Sequence, residues 1–131
     1  MSNGPLPSVR CLLSTLPMKH VGDKVRFLGC VTRYSTRSAT LILQHEYPHG
    51  NKTKANVDVA LLLENLKAEQ TDVAQWVHVI GYITSIEQTT LKSMGPHTAS
   101  VGVQALVLWI AEDLDIQSYE KALASETDWL K

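Results

Sequence analysis

Cysteine is nearly absent from this sequence, with Cys11 and Cys30 the only two in 131 residues. That is too few for a disulfide framework or a four-ligand zinc site, and it fits a reducing compartment in which both thiols pack as small hydrophobes. An excess of positive charge is missing too. Twelve Lys and Arg stand against thirteen Asp and Glu, a net charge of -1, so no global field recruits a polyanion and any nucleic-acid contact must come from a local patch. Aromatics are scarce at 6%. There is no run of about 18 apolar residues to span a bilayer, and the opening MSNGPLPSVR lacks the basic flank and apolar core of a signal peptide. A soluble intracellular protein without membrane contact is expected. Asn51, Lys52 and Thr53 spell a glycosylation sequon, which has no use in that setting.

What is present is 44% hydrophobic content, enough for one core in a chain too short for two ordinary domains. Residues 1–16 read as a tail followed by a short capping segment. Its Val9, Leu12, Leu13 and Leu16 are spaced as one helical face until Pro17 stops it, so it is either a short helix or a lid strand. Residues 17–111 carry the strands. Lys24 to Tyr34 is the first, interrupted by Gly29. After the polar turn Ser35 to Ser38, Ala39 to His45 is the second, with Leu41 and Leu43 on one face. Val57, Val59 and Leu61 alternate with Asn56 and Asp58 in a third, and Leu61 to Glu69 then turns helical in composition. Trp76 to Thr84 is the fourth, with Gly81 inside it. Thr84 to Ser100 reads as a long polar loop, and Val101 to Ile110 as an apolar fifth strand. Residues 112–131 open with Glu112, Asp113 and Asp115 and place Ile116, Tyr119, Leu123 and Leu130 at helical spacing, an amphipathic helix closing the same domain.

One pattern is written twice. Val25-Arg26-Phe27-Leu28-Gly29-Cys30-Val31 aligns with Val77-His78-Val79-Ile80-Gly81-Tyr82-Ile83. A strand that serves two halves of a small closed sheet must bend sharply, and a glycine permits the bend. Glycine-bent first and fourth strands, with the order strand, strand, strand, helix, strand, strand, predict an all-β fold: a five-stranded Greek-key OB barrel with a helix between strands three and four and a C-terminal α-helix. The glycines speak for the fold rather than for an activity.

His45-Glu46-Tyr47-Pro48-His49 matches the zinc-peptidase string H-E-x-x-H. That chemistry needs both histidines on one face of a helix. Here the string follows a strand, Pro48 breaks the helix it would need, and Tyr47 is pushed towards extended backbone. No metal site, cofactor, small-molecule substrate or catalytic group is expected; no Ser or Cys has an identifiable base.

OB barrels hold single strands across their second and third strands and the adjoining loops, with cations on phosphates and aromatics on bases. Arg33, Tyr34 and Arg37 flank the first turn, Lys52 and Lys54 lead into the third strand, Lys92 lies in the long loop, and Tyr47 and Tyr82 are available for stacking. The alternative is that these scattered cations only solvate loops. The closing helix offers a partner surface through Ile116, Tyr119, Leu123, Trp129 and Leu130, although Ile116 and Leu123 equally suit a cap on their own barrel.

The strings KVRFLGCVTRY, LILQHEYP, VDVALLLENL and WVHVIGYI, in this order over residues 16–110, resemble the fungal form of the smallest subunit of the telomere-capping CST complex. The small subunit of replication protein A shares the architecture. The resemblance implies a nuclear protein at the telomeric region of chromosomes that heterodimerises with the middle OB-fold subunit, and through it joins the large subunit. It implies help in binding single-stranded telomeric DNA and in regulating telomere replication. The alternatives are a replication-protein-A-like small subunit or a stand-alone binder of single-stranded nucleic acid.

Overall fold

The computed structural model describes residues 7–88 and 99–128, with side chains up to residue 124. Its elements are β1 (Val9–Arg10), a 3₁₀ helix (Leu13–Met18), β2 (Lys24–Ser35), β3 (Thr40–Gln44) and β4 (Lys54–Asp58). Two 3₁₀ turns (Ala60–Leu62 and Ala68–Thr71), β5 (Trp76–Gln88), β6 (Ala99–Ile110) and α1 (Ile116–Asp128) follow.

The long strand β2 makes the barrel possible by changing partner halfway. Lys24 to Cys30 pairs antiparallel with β5, and Cys30 to Ser35 pairs antiparallel with β3. The ladder continues β3–β4 antiparallel, β4–β6 parallel and β6–β5 antiparallel, which returns to β2 and closes five strands with no open edge between them. β1 adds a short parallel pairing, Val9 with Val25 and Arg10 with Arg26. Alternation along the strands sends Val25, Phe27, Val31, Leu41, Leu43, Val57, Val77, Val79, Val101 and Val103 inward, all nearly inaccessible. Leu13 and Leu16 of the first 3₁₀ helix join that core as a plug, so Pro17 lies inside the helix instead of ending it. A side chain such as Phe27 or Leu13 buried this way contributes about 2 kcal/mol.

Both repeated glycines sit where the sheet is tightest. A Cβ on Gly81 would drive into the backbone carbonyl of Gln104, beside the register shift between Ile80 and Gly81 in the β5–β6 ladder. A Cβ on Gly29 would stand 2.7 Å from Leu43 Cβ and 3.0 Å from Leu13 Cδ1. On β2 the register shift itself lies further on, between Val31 and Arg33.

Three expectations change. The helix between the third and fourth strands is two separate 3₁₀ turns. The third strand ends at Asp58, because its carboxylate accepts the Ala60 amide (2.8 Å) and turns the chain, leaving Leu61 largely exposed. The long polar loop is shorter, since β5 runs to Gln88 and β6 begins at Ala99, paired with each other at their ends.

Candidate functional site

The outer side of β3 and β4 presents Thr40, Ile42, Gln44, Lys54, Asn56 and Asp58. Arg33 stands exposed at the end of β2, opposite Ile42, and Arg37 is exposed in the turn that follows. Lys54 is exposed at the start of β4. Lys52 is paired: its Nζ donates to Glu46 Oε1 at 2.8 Å, and that hydrogen bond and charge hold the Glu46 carboxyl below its ordinary range. Tyr34 is a correction. The bulge between Val31 and Arg33 adds one residue and inverts the alternation, so Tyr34 registers with Leu41 and packs against the core instead of facing a ligand. Tyr47 is half-buried with its ring against His45, centroids 6.3 Å apart. This surface therefore has cations, the Asp58 carboxylate, and no outward aromatic on β3 or β4. Lys92 lies outside the described residues.

Tyr82 is elsewhere. It belongs to β5, registered between Lys24 of β2 and Gln104 of β6, and is separated from β3 by β2 on one side and by β6 and β4 on the other. The sequence-based nucleic-acid set is thus divided between two faces.

The closing helix docks on the outside of the barrel. Asp115 caps it, with Oδ1 accepting the Ser118 amide (3.1 Å) and Oδ2 the Ser118 hydroxyl (2.9 Å), bonds that lower its carboxyl pKa. Tyr119 lies between two histidines, 6.2 Å from the ring of His45 and 6.2 Å from that of His78. Burial, the largest cause, pushes the Tyr119 phenol up to about 12. Glu120 Oε2 accepts a hydrogen bond from His45 Nε2 at 2.7 Å; the carboxylate can only accept, so this nitrogen carries the proton. The His45 side chain is 2% exposed, its Nδ1 is buried without a hydrogen-bond partner, and Trp76 meets it edge-on at 5.3 Å. The HEYPH string is therefore a loop following β3 that anchors the helix, and among the described residues no group of three His, Cys, Asp or Glu is arranged to hold a metal.

Leu123, 2% exposed, Leu28 and Leu12 are buried without belonging to the barrel core. Leu28 alternates with the inward Phe27 and so points outward, where the helix covers it. This corrects Leu123 as a partner-facing residue, since its own chain already occupies it. Ile116 and Tyr119 are half-buried, and the outward side of the helix carries Gln117, Ser118, Lys121 and Ala122. Trp129 and Leu130 lie outside the described residues. Both cysteines are free, and burial raises both thiol pKa values.

Sequence reasoning passed over the row of rings beside this helix. Trp109 stacks on His78 at 5.1 Å and 24°, and the Arg26 guanidinium lies 5.2 Å over Trp109. Burial, then the nearby charges of Arg26 and Arg10, lower the His78 pKa. The available signal was period two: Trp76, His78 and Trp109 alternate with the buried Val77, Val79 and Leu108.

A family model described as "Ten1: Telomere capping, CST complex subunit" matches residues 1–124. A chain in the crystal structure of the S. pombe Stn1–Ten1 complex is 17% identical with a TM-score of 0.69, the match covering 95% of this chain and 96% of that one. The crystal structure of telomere capping protein Ten1 from Saccharomyces pombe gives 16% identity and a TM-score of 0.67 over 93% and 99%. The structure of U. maydis replication protein A bound to ssDNA gives 15% identity and a TM-score of 0.58 over 95% and 94%. At these identities the structural likeness establishes the OB fold. No curated protein matches the sequence.

Proposed function

Since the chain belongs to the Ten1 family of telomere-capping CST complex subunits, we propose that it is the smallest, non-enzymatic subunit of such a complex. It acts in the nucleus at chromosome ends. It pairs with the middle subunit, the counterpart of Stn1 in the S. pombe complex, and helps that assembly hold single-stranded telomeric DNA and regulate telomere replication. The observation that carries the reading is the family match over residues 1–124, which spans the barrel and most of α1.

The geometry supports pairing through α1. One side of the helix is used internally through Tyr119, Glu120 and Leu123, which fixes the helix as a rigid ridge with Lys121 and Ala122 facing away. A preformed ridge loses little conformational freedom on docking. The sequence segment beyond it adds Trp129 and Leu130, residue types suited to anchoring an interface. The test is co-expression with the middle subunit. Ala122→Arg, on the outward side, is expected to abolish co-purification while leaving the isolated chain's melting temperature unchanged, and Trp129→Ala with Leu130→Ala to weaken it. Normal pairing by all of these variants would remove α1 as the interface.

A further inference from the structure

A groove of about 620 Å³ opens between the turns that follow β4, within residues 65–70, and the end of β6 with its approach to α1, residues 109–112. Its sides are braced against each other. The Gln70 side-chain oxygen accepts the Lys67 amide at 2.7 Å while its Nε2 donates to the Leu108 carbonyl at 3.1 Å, which ties the turn to β6. Gln75 Nε2 donates to the Glu69 carbonyl at 3.3 Å, and the Ala111 amide donates to the Trp76 carbonyl at 2.9 Å. His78 and Trp109 close the groove as a wall. They stack on each other, and His78 also meets Tyr119 of α1, so they bound the space instead of offering free contacts.

The charge here is predominantly negative. Glu69 and Glu112 line the groove and are exposed, and Glu64, Asp72 and Asp113 are exposed on the same two stretches of chain, against Lys67. Among the described residues no cation pairs with any of these carboxylates. Burial, the first cause, and then Arg26 and Arg10 hold the His78 pKa below its ordinary value, which leaves that wall neutral near neutral pH. Apolar surface accompanies the charge. Ile110 lines the groove half-buried, and Leu63 and Val73 stand 49% and 69% exposed along the same connection.

We propose that this groove docks a basic, extended segment of a partner protein, with an arginine on Glu69 and Glu112 and a neighbouring apolar side chain over Ile110. The chemistry selects that occupant. The carboxylates repel a phosphate backbone, which excludes a nucleic acid. A neutral segment covering the groove would strip water from Glu69 and Glu112 without replacing it, and a carboxylate buried unpaired is costly. Arginine meets both demands, because its planar fork of five donors matches carboxylate geometry and it is more weakly hydrated than lysine. The volume falls in the range of roughly 300–1,000 Å³ that holds a drug-sized ligand, room for a few side chains. Since the walls are braced before anything binds, little ordering is needed on this side of the contact. Among the described residues none of α1 lines the groove, so docking here is separable from pairing through that helix.

The experiment uses the full chain and a fluorescein-labelled peptide, Gly-Arg-Leu-Arg-Leu-Arg-Gly, followed by anisotropy. The peptide is expected to bind, and Glu69→Gln with Glu112→Gln to weaken it about tenfold, the loss expected for a hydrogen bond to a charged group. Glu46→Gln with Glu87→Gln removes the same charge elsewhere and should leave the affinity unchanged. Glu46 is in the loop after β3, and Glu87 lies about 30 Å along β5 from His78. In amide NMR spectra of the unmutated chain the peptide should move the signals of residues 67–70 and 110–112, a readout independent of how any variant folds. Equal losses in the two double variants reduce the contact to net charge and overturn the inference. So do equal binding of the same peptide with glutamate in place of arginine, no binding of the arginine peptide, or shifts confined to α1 or to β3 and β4. Each of these results leaves the proposed function standing, since pairing with the middle subunit is tested through other residues.

Discussion

Gly81 and Gly102 face each other's strands across the β5–β6 ladder, yet they are constrained by different kinds of neighbour. A methyl group at Gly81 meets a backbone carbonyl that cannot move without breaking the barrel ladder. At Gly102 it meets Ser85 Oγ at 2.5 Å and Thr84 Oγ1 at 2.8 Å, hydroxyls on exposed residues that rotate away. Gly81→Ala is therefore expected to cost about 3 kcal/mol and Gly102→Ala about 1 kcal/mol in denaturant unfolding, overpacking being expensive where relaxation is blocked. His78 gives the pH dependence. Its folded pKa lies below the ordinary histidine value, first because of burial and then because of Arg26 and Arg10. The unfolded chain then binds the proton more readily, so the stabilisation is present above the unfolded pKa near 6.5 and is lost as pH falls through the folded value. Thermal unfolding followed from pH 7.5 to 5 should show the unmodified protein losing more stability than His78→Gln, and parallel profiles would contradict this. Tyr34 marks what was illegible at this scale. Its strand was evident from KVRFLGCVTRY, but its side depends on a one-residue bulge that is set by pairing with β3.

At the scale of the element, α1 is held by a carboxylate–imidazole hydrogen bond, two ring contacts and the burial of Leu123. Its exposed face contributes little by itself, since a 13-residue helix is marginal in water without tertiary packing. Leu123→Ala should therefore cost about 2 to 4 kcal/mol if the helix stays docked, and less if it detaches locally. Amide hydrogen exchange distinguishes the two, because detachment lowers protection from Ile116 onward while β2 and β5 keep theirs. Unchanged protection and stability would contradict the docking. The helix itself was legible from the spacing of Ile116, Tyr119 and Leu123. Where it docks was not, because its contacts, His45 in the loop after β3 and His78 on β5, are distant in sequence and meet only in the folded chain. The H-E-x-x-H string shows the converse: a local match whose first histidine is committed to Glu120, 75 positions away.

For the molecule as a whole, a net charge of -1 conceals a division into faces. Lys52 is paired with Glu46 on one side of the barrel, while Arg10 and Arg26 register with each other on another. The sequence by itself determined the barrel. Alternation in the strands and glycine at positions 29 and 81 are local demands of steric fit and burial, and they hold wherever the rest of the chain goes. Only the tertiary structure decided which side chains share a surface. Closure of the ladder separates Tyr82 from Arg33, a bulge turns Tyr34 inward, and the docking of α1 covers Leu28 and Leu123. Each of these follows from contacts between residues far apart in the chain, which no local pattern encodes.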